Sequence, residues 1–460
     1  MKQYKFWMLT AILALCGQTV MTSCSSNDDN PATPDTPASN DGVPGTAQRG
    51  YSLDWKILND DRQLVALDGA MGNMFRAEMD QIQFEYTSVG PDLKTPVRMT
   101  GTINMPRHIF NKTEEPNQLI IFHQWTHAQK DEQLFDAGYN DIGIYMNEDF
   151  NVILISSDYY GWTLTKDNPQ AYCCHEINAV AQLDCYDAAM EILKQKGYNV
   201  DGLPINSLGY SSGGMLAVGF QKYISEHRPD IHIAFTGIGA SPYDINTVYE
   251  NYVETDFTGY VCSMPLIMVS FNETYNLGLD YKDIFLPPLC DHISDWILSK
   301  QYLTSEINER IGIDKKVSEI LTPAACDWTK GIGKVMHDKF AEKSLCGANA
   351  TWQPDTETSY YVMHSTGDLY MDWHVSEQMA NYLKSKGCTK LTTDFRDFGN
   401  HCENGVPVFL LTTAMLMYMQ DDEYKTDQDL VDLLDGLADL VINVASNPEL
   451  FAELAGLFDL

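Results

Sequence analysis

The chain has 460 residues, 44% of them hydrophobic, and a formal net charge of −34. That length can bury one large core or two smaller ones. So acidic a surface excludes a nucleic-acid backbone as partner, because a polyanion would be repelled instead of releasing its counterions to basic side chains.

The chain opens "MKQYKFWMLTAILALCGQTVMTSC", with Lys2 and Lys5 ahead of an apolar run that ends at Val20. The run is too short to span a bilayer comfortably and has the flanks of an export signal, so residues 1–23 are expected to be a signal peptide. "MTSC" resembles a bacterial lipobox, which implies that Cys24 is the lipid-bearing first residue of the mature chain and its anchor in the outer membrane, at the cell surface or the periplasmic face. Ordinary secretion with Cys24 incidental is the alternative. The following "SSNDDN" resembles the acidic export signals of surface lipoproteins in Bacteroidetes. Residues 24–50 are rich in Pro, Ser and Asp and almost free of apolar side chains, so they cannot offset the entropy of ordering and read as a tether. Of eleven cysteines, nine lie beyond Cys24. An odd number in a compartment that permits disulfides leaves at least one unpaired.

From Ile82 onward strand-like and helix-like segments alternate, the pattern of an α/β fold. "IQFEYTSVG" and "PVRMTGTINMP" flank a Gly-Pro turn and are expected to pair antiparallel. "NQLIIFHQWTH" is an apolar strand that ends abruptly in polar and aromatic residues. "FNVILISSDYYGW" repeats that design, and a helix follows in which Ile177, Ala181, Tyr186 and Met190 recur at helical spacing. The unit returns as "LPINSLGYS", a helix from Gly213, "IHIAFTGIGASPYDI", "SYYVMHSTGDLYM", a helix through "EQMANYLKSKG", and "TTDFRDFGNH". Each crossover puts a loop at the carboxyl edge of a parallel sheet, where ligands of such folds bind. Residues 51–245 and 356–420 are thus the two parts of one core. Between them, residues 246–355 lose the alternation and are expected to form a helical insertion that acts as a cap. In residues 421–460, Leu430, Leu433, Leu434, Leu437 and Leu440 fall at helical spacing among acids, an amphipathic helix expected to dock against its own domain.

In "LGYSSGG", Gly209, Ser211 and Gly213 form G-x-S-x-G after a strand and at the start of a helix. A nucleophile on so sharp a turn needs small residues two positions to either side, where strand and helix would otherwise collide. Ser211 fits the reactive position; Ser212 offers its backbone N–H, at the helix N-terminus, to a developing oxyanion. A serine hydroxyl also needs a base, and the base an acid to orient it. Asp368 follows one later strand and His401 the next.

With these residues in place, the stretch from about Ile82 to Gln420 resembles an α/β-hydrolase of the secretory-lipase and prolyl-oligopeptidase-like esterase kind, with "SSDYYGW", "GYSSGG", "GASPYD", "HSTGD" and "GNH" in order. The resemblance implies Ser211 as nucleophile, His401 as general base, Asp368 as orienting acid, and a mostly parallel sheet flanked by helices. The sequence departs from the family at the turn after "LIIFH", where Gln124 stands in place of a usual glycine. The second oxyanion N–H is expected from Trp125, with Gln124 the fallback.

Asp372 competes for the role of the acid but lies four residues further on; of His364 and His374, one is expected to be packed and one solvated. Asp158 is read as a structural turn residue. "CCHE" at 173–176 suggests zinc, but adjacent cysteines do not easily share one tetrahedral ion, and burial or a disulfide is favoured. Cys402 either lies near the site or pairs with Cys388.

These readings converge on a serine hydrolase of carboxylic esters, acting on a small-molecule, glycan or lipid ester without metal or organic cofactor. Tyr249, Tyr252, Phe257, Tyr260, Phe271, Tyr275 and Phe285 of the insertion are candidates for the walls of its acyl pocket. The rivals are a peptidase of the prolyl-oligopeptidase type and a non-catalytic ligand-binding lipoprotein on a hydrolase scaffold. The peptidase is disfavoured because only about thirty residues lie between the tether and the first expected strand.

Overall fold

The computed structural model describes residues 50–67, 76–137, 140–146 and 150–419. The expected signal peptide, Cys24, the tether and the C-terminal amphipathic helix lie outside the described residues. Nine strands form one sheet: β1 (Trp55–Leu67), β2 (Arg76–Val89), β3 (Pro96–Pro106), β4 (Gln118–His123), β5 (Val152–Ser157), β6 (Ile205–Tyr210), β7 (Ile233–Gly239), β8 (Ser359–Met363) and β9 (Leu391–Asp394). Their spatial order is β1-β2-β3-β5-β4-β6-β7-β8-β9. The first three pair antiparallel, β3 meets β5 antiparallel, and every pair from β5 to β9 is parallel.

The strand expected at Ile82 is the second half of β2, and the stretch before it carries β1. The pattern of β1 hides it: "NDDRQ" interrupts the apolar residues, and the register slips between Ile57 and Arg62. An edge strand with one solvated face tolerates both.

The central strands are apolar on both faces, as parallel strands covered by helices must be. Leu119, Ile121, Ile153 and Ile155 pack with residues of α1 (His175–Gln195) and α2 (Ser212–His227), including Cys185, Ala189, Leu216 and Phe220. The alternate residues Ile120, Phe122, Leu154 and Leu208 face the other way, onto Tyr145, Phe409, Leu410 and Met417. Each such large apolar side chain contributes about 1.5–3 kcal/mol when fully buried. Buried Arg228, at the end of α2, ties the two helices together: it donates to Asp187 of α1 at 2.8 Å and to Asp230.

Between β7 and β8 the chain forms α3 (Ile245–Thr255), α4 (Ser263–Thr274), shorter helical turns and α5 (Gly331–Glu342), in the stretch expected to be an insertion. α6 (His374–Ser385) and α7 (Val406–Met419) follow β8 and β9. The aromatic residues of the insertion mostly hold it together. Tyr249, Tyr252, Phe271 and Phe285 are buried in a core the insertion shares with the sheet and its helices, Phe257 is 56% exposed, and none of these borders the cavity beside Ser212. The insertion is pinned to the rest by Lys300, whose ammonium donates to the carbonyls of Gly161, at 2.7 Å, and Asn168. Burial pulls that lysine down to about 8. A second link, Tyr252 Oη to the Tyr370 carbonyl at 2.6 Å, reaches the loop after β8.

Burial makes three histidines reluctant to take a proton: His123 and His127 are pushed down to about 3 and His175 to about 4. His123 lies between Tyr159 Oη and Ser207 Oγ, whereas His175 Nε2 donates to the Lys343 carbonyl at 3.1 Å. A histidine held neutral by the fold costs nothing above its unfolded value of about 6.5, and costs progressively more as pH falls from there towards the folded value. At pH 5 each of the three costs about 2 kcal/mol relative to neutral pH. Thermal denaturation between pH 7.5 and 5 is therefore expected to show a falling Tm with proton uptake on unfolding; a flat Tm over that interval would contradict this burial.

Candidate active site

Ser211 sits between β6 and α2 with φ 54° and ψ −129°, a strained conformation for a residue with a Cβ. Such strain costs on the order of 1–3 kcal/mol and persists only where the surroundings impose it. Here they do. A Cβ on Gly209 would overlap the Gly213 carbonyl, and one on Gly213 would overlap the His123 carbonyl of β4. α2, β6 and β4 therefore approach closely because both positions lack a side chain. The Ser211 N–H donates to the Gly239 carbonyl at 2.9 Å, which fixes the turn against β7.

The two serines have different partners. Ser211 Oγ lies 2.9 Å from His401 Nε2, while Ser212 Oγ accepts from Thr126 Oγ1 at 3.3 Å. His401 begins the wide helical turn His401–Gly405 after β9, and its Nδ1 is 2.5 Å from Asp368 Oδ2. Its backbone is held too: the His401 carbonyl accepts from Tyr210 Oη at 2.9 Å, and Asn400 Oδ1 accepts from the His401 and Leu369 N–H groups. The ring packs 5.1 Å from Tyr210 and 5.5 Å from Tyr370, which in turn packs at a tilt against Tyr260 of the insertion.

Asp368 is completely buried, yet it is held well below the usual carboxylate range. Burial alone would raise it; the adjoining His401 and His364, with their hydrogen bonds, outweigh that penalty. Its Oδ1 accepts from the Tyr370 and Met371 N–H groups at 2.7 and 3.0 Å. Its Oδ2 accepts from His364 Nε2 at 3.0 Å as well as from His401. His364 is the packed histidine of the pair singled out in the sequence, but it is packed on the acid itself. Its other nitrogen faces Ser376 Oγ at 2.8 Å, and burial lowers its pKa, so it is a neutral donor at neutral pH. Spacing along the chain does not reveal this contact, because the turn Ser365–Gly367 folds His364 back onto Asp368.

His374 and Asp372 pair with each other at 2.6 Å on the surface and take no part in this cluster. Asp158 accepts from Thr100 and Thr163 hydroxyls, in keeping with a turn residue. Of the cysteine alternatives, burial holds for Cys173 and Cys174 and the disulfides do not form. Cys173, Cys174 and Cys388 carry free, buried thiols, so Cys388 does not pair with exposed Cys402, and "CCHE" holds no disulfide. Cys173 and Cys174 belong to the apolar core beside Ile177, where burial raises both thiols. Among the described residues, no group of three or more His, Cys, Asp or Glu is arranged to hold a metal ion.

Gln124 is not a defect in the turn after β4. Its side chain points into the protein, where Nε2 donates to the Ser157 carbonyl at 2.8 Å and Oε1 accepts from Leu134 N–H at 3.1 Å. It braces the loop that carries Trp125. A cavity of about 30 Å³ lies beside this turn, bordered by Trp125, Ser212 and the loop after β5 with Tyr160, Trp162 and Tyr172. These aromatic residues, not those of the insertion, form its walls. The stretch "SSDYYGW" contains Tyr160 and Trp162, but nothing along the chain sets them beside Ser212.

No protein-family model matches the sequence, and no curated protein matches it. Solved structures do. A Legionella pneumophila protein described as a hydrolase superposes with a TM-score of 0.65 at 14% identity, over 81% of this chain and 99% of that one. The rice cell wall degrading esterase LipA from Xanthomonas oryzae gives 0.65 at 17% identity, over 82% and 98%. Candida antarctica lipase A in its closed state gives 0.56 at 12% identity, over 88% and 93%. At these identities the likeness is one of fold: the chain has the α/β-hydrolase fold, a mostly parallel sheet flanked by helices, as do esterases and lipases.

Proposed function

We propose that the protein is a serine hydrolase that cleaves carboxylic esters through an acyl-enzyme. The observation that carries this reading is the single line of contacts from Ser211 Oγ through His401 to the buried Asp368. His401 Nε2 takes the Ser211 proton as Oγ attacks the ester carbonyl carbon. The carbonyl oxygen, now anionic, is met by the backbone N–H groups of Ser212 and Trp125, with Gln124 the fallback. Collapse of the tetrahedral intermediate breaks the bond to the alcohol, which leaves with the proton from His401. Water then attacks the acyl-enzyme, giving its proton to His401; the acid departs as that proton returns to Ser211 Oγ. Asp368 stays ionised throughout, orienting His401 and stabilising the imidazolium. Esterases and lipases among the proteins of like fold support ester substrates in particular.

Export is part of the same proposal. The apolar run before "MTSC" supports a signal peptide and a lipid anchor at Cys24. Metabolic labelling with a fatty-acid probe in a bacterial host is expected to mark the wild type and not Cys24→Ser; equal labelling would remove the anchor from the reading.

Turnover of p-nitrophenyl esters tests the chemistry. Ser211→Ala is expected to abolish it, and Asp368→Asn to lower kcat about 10⁴-fold while folding normally, because an amide favours the wrong tautomer of His401. Unchanged turnover in Ser211→Ala would end the hydrolase reading.

His364 acts as a positioning residue through Asp368. Without its N–H the carboxylate is less satisfied and holds the His401 proton more tightly. His364→Phe is therefore expected to shift the acid limb of the kcat/KM profile to higher pH, and His364→Gln to restore part of the shift. Loss of stability with an unmoved pH profile would make the role of His364 purely structural.

A further inference from the structure

The cavity beside Trp125 and Ser212 has buried amide side chains among its aromatic walls. Gln133, Gln170 and Asn178 line it, and each is more than nine-tenths buried. Each also has a polar atom without a hydrogen-bond partner: Nε2 of Gln133, Nε2 of Gln170 and Oδ1 of Asn178. The orientation of the Asn178 amide is set, because its Nδ2 donates to the Ala171 carbonyl at 2.8 Å. A buried polar group left unpaired is costly, and three around one small cavity mark a place where something polar belongs.

The cavity also has a definite relation to the proposed chemistry. It borders the two residues whose N–H groups would receive the ester carbonyl oxygen, and Ser211, His401 and Asp368 all lie just outside its lining. The leaving alcohol must lie by His401 to receive its proton, so the space beyond Ser212 and Trp125 falls on the acyl side. Between them the three orphan groups present two donors and one acceptor. A hydroxyl, with one proton to donate and two lone pairs, complements that set. At about 30 Å³ the cavity is on the scale of a short group.

We infer that this cavity is the acyl subsite and that it takes a short acyl group bearing a hydroxyl, recognised by Gln133, Gln170 and Asn178. The inference rests on the proposed ester hydrolysis. A site built to bond a hydroxyl discriminates strongly against the analogue that lacks it.

The test compares isosteric pairs on the full chain: p-nitrophenyl lactate against isobutyrate, and p-nitrophenyl 3-hydroxybutyrate against 3-methylbutyrate, each rate divided by its alkaline hydrolysis rate. At least one hydroxyl ester is expected to show a kcat/KM about tenfold or more above its methyl partner. Gln133→Leu and Gln170→Leu are expected to erase that preference, each hydroxyl ester falling to the corrected rate of its methyl partner. Equal rates within both pairs, or a preference for longer alkyl chains, would overturn the inference and leave the cavity a water site. A second measurement does not need turnover: 3-hydroxybutyramide is expected to raise the Tm of Ser211→Ala protein more than 3-methylbutyramide does. No ester turnover at all would sink the hydrolase proposal, and the amide comparison would still decide the subsite, equal shifts counting against it.

Discussion

The close approach of α2 to the ends of β4 and β6 is the constraint on which the site depends. Gly209 and Gly213 permit it, because a side chain on either would overlap a backbone carbonyl. The helix can then start immediately after Ser211, in a conformation the residue would not choose alone. One consequence is that Ser211 Oγ lies within hydrogen-bond reach of His401 Nε2. The other is that the turn after β4 is brought beside the same helix, since β4 and β6 are neighbours in the sheet.

Sheet order supplies the rest of the geometry. The chain reverses its direction of progress at β4, which lies between β5 and β6, and a reversal of this kind is where such folds bind ligands. Beyond the strand ends, backbone hydrogen bonds continue the ladder: Ser211 to Gly239, Ala240 to Met363, and His364 to Asp394. These bonds fasten the Ser211 turn, the loop after β8 that carries Asp368 and the strand that leads to His401 into one frame. The site is thus held by main chain as much as by side chains, which suits a cluster whose distances must stay within a hydrogen bond's reach.

Electrostatics complete that frame. A fully buried carboxylate is unfavourable unless its oxygens are satisfied. Asp368 receives two backbone N–H groups on one oxygen and two histidines on the other, and so remains charged where burial alone would neutralise it. The same logic, applied to the cavity beyond Ser212, is what makes its three unpartnered amide atoms conspicuous.

The linear chain already carried the order of Ser211, Asp368 and His401, each following an apolar run, because a short turn after a buried strand is a local property. It also marked Gly209 and Gly213, since close packing of strand and helix excludes side chains at fixed offsets. Three features needed tertiary structure. β1 escaped notice because an edge strand with a polar centre lacks an apolar pattern. The contact of His364 with Asp368, and the inward turn of Gln124, depend on which way side chains point after the chain has folded. The cavity, finally, is assembled from the loops after β4 and β5 and the first turns of α1 and α2, segments far apart in sequence that meet only because the sheet sets their strands and helices side by side.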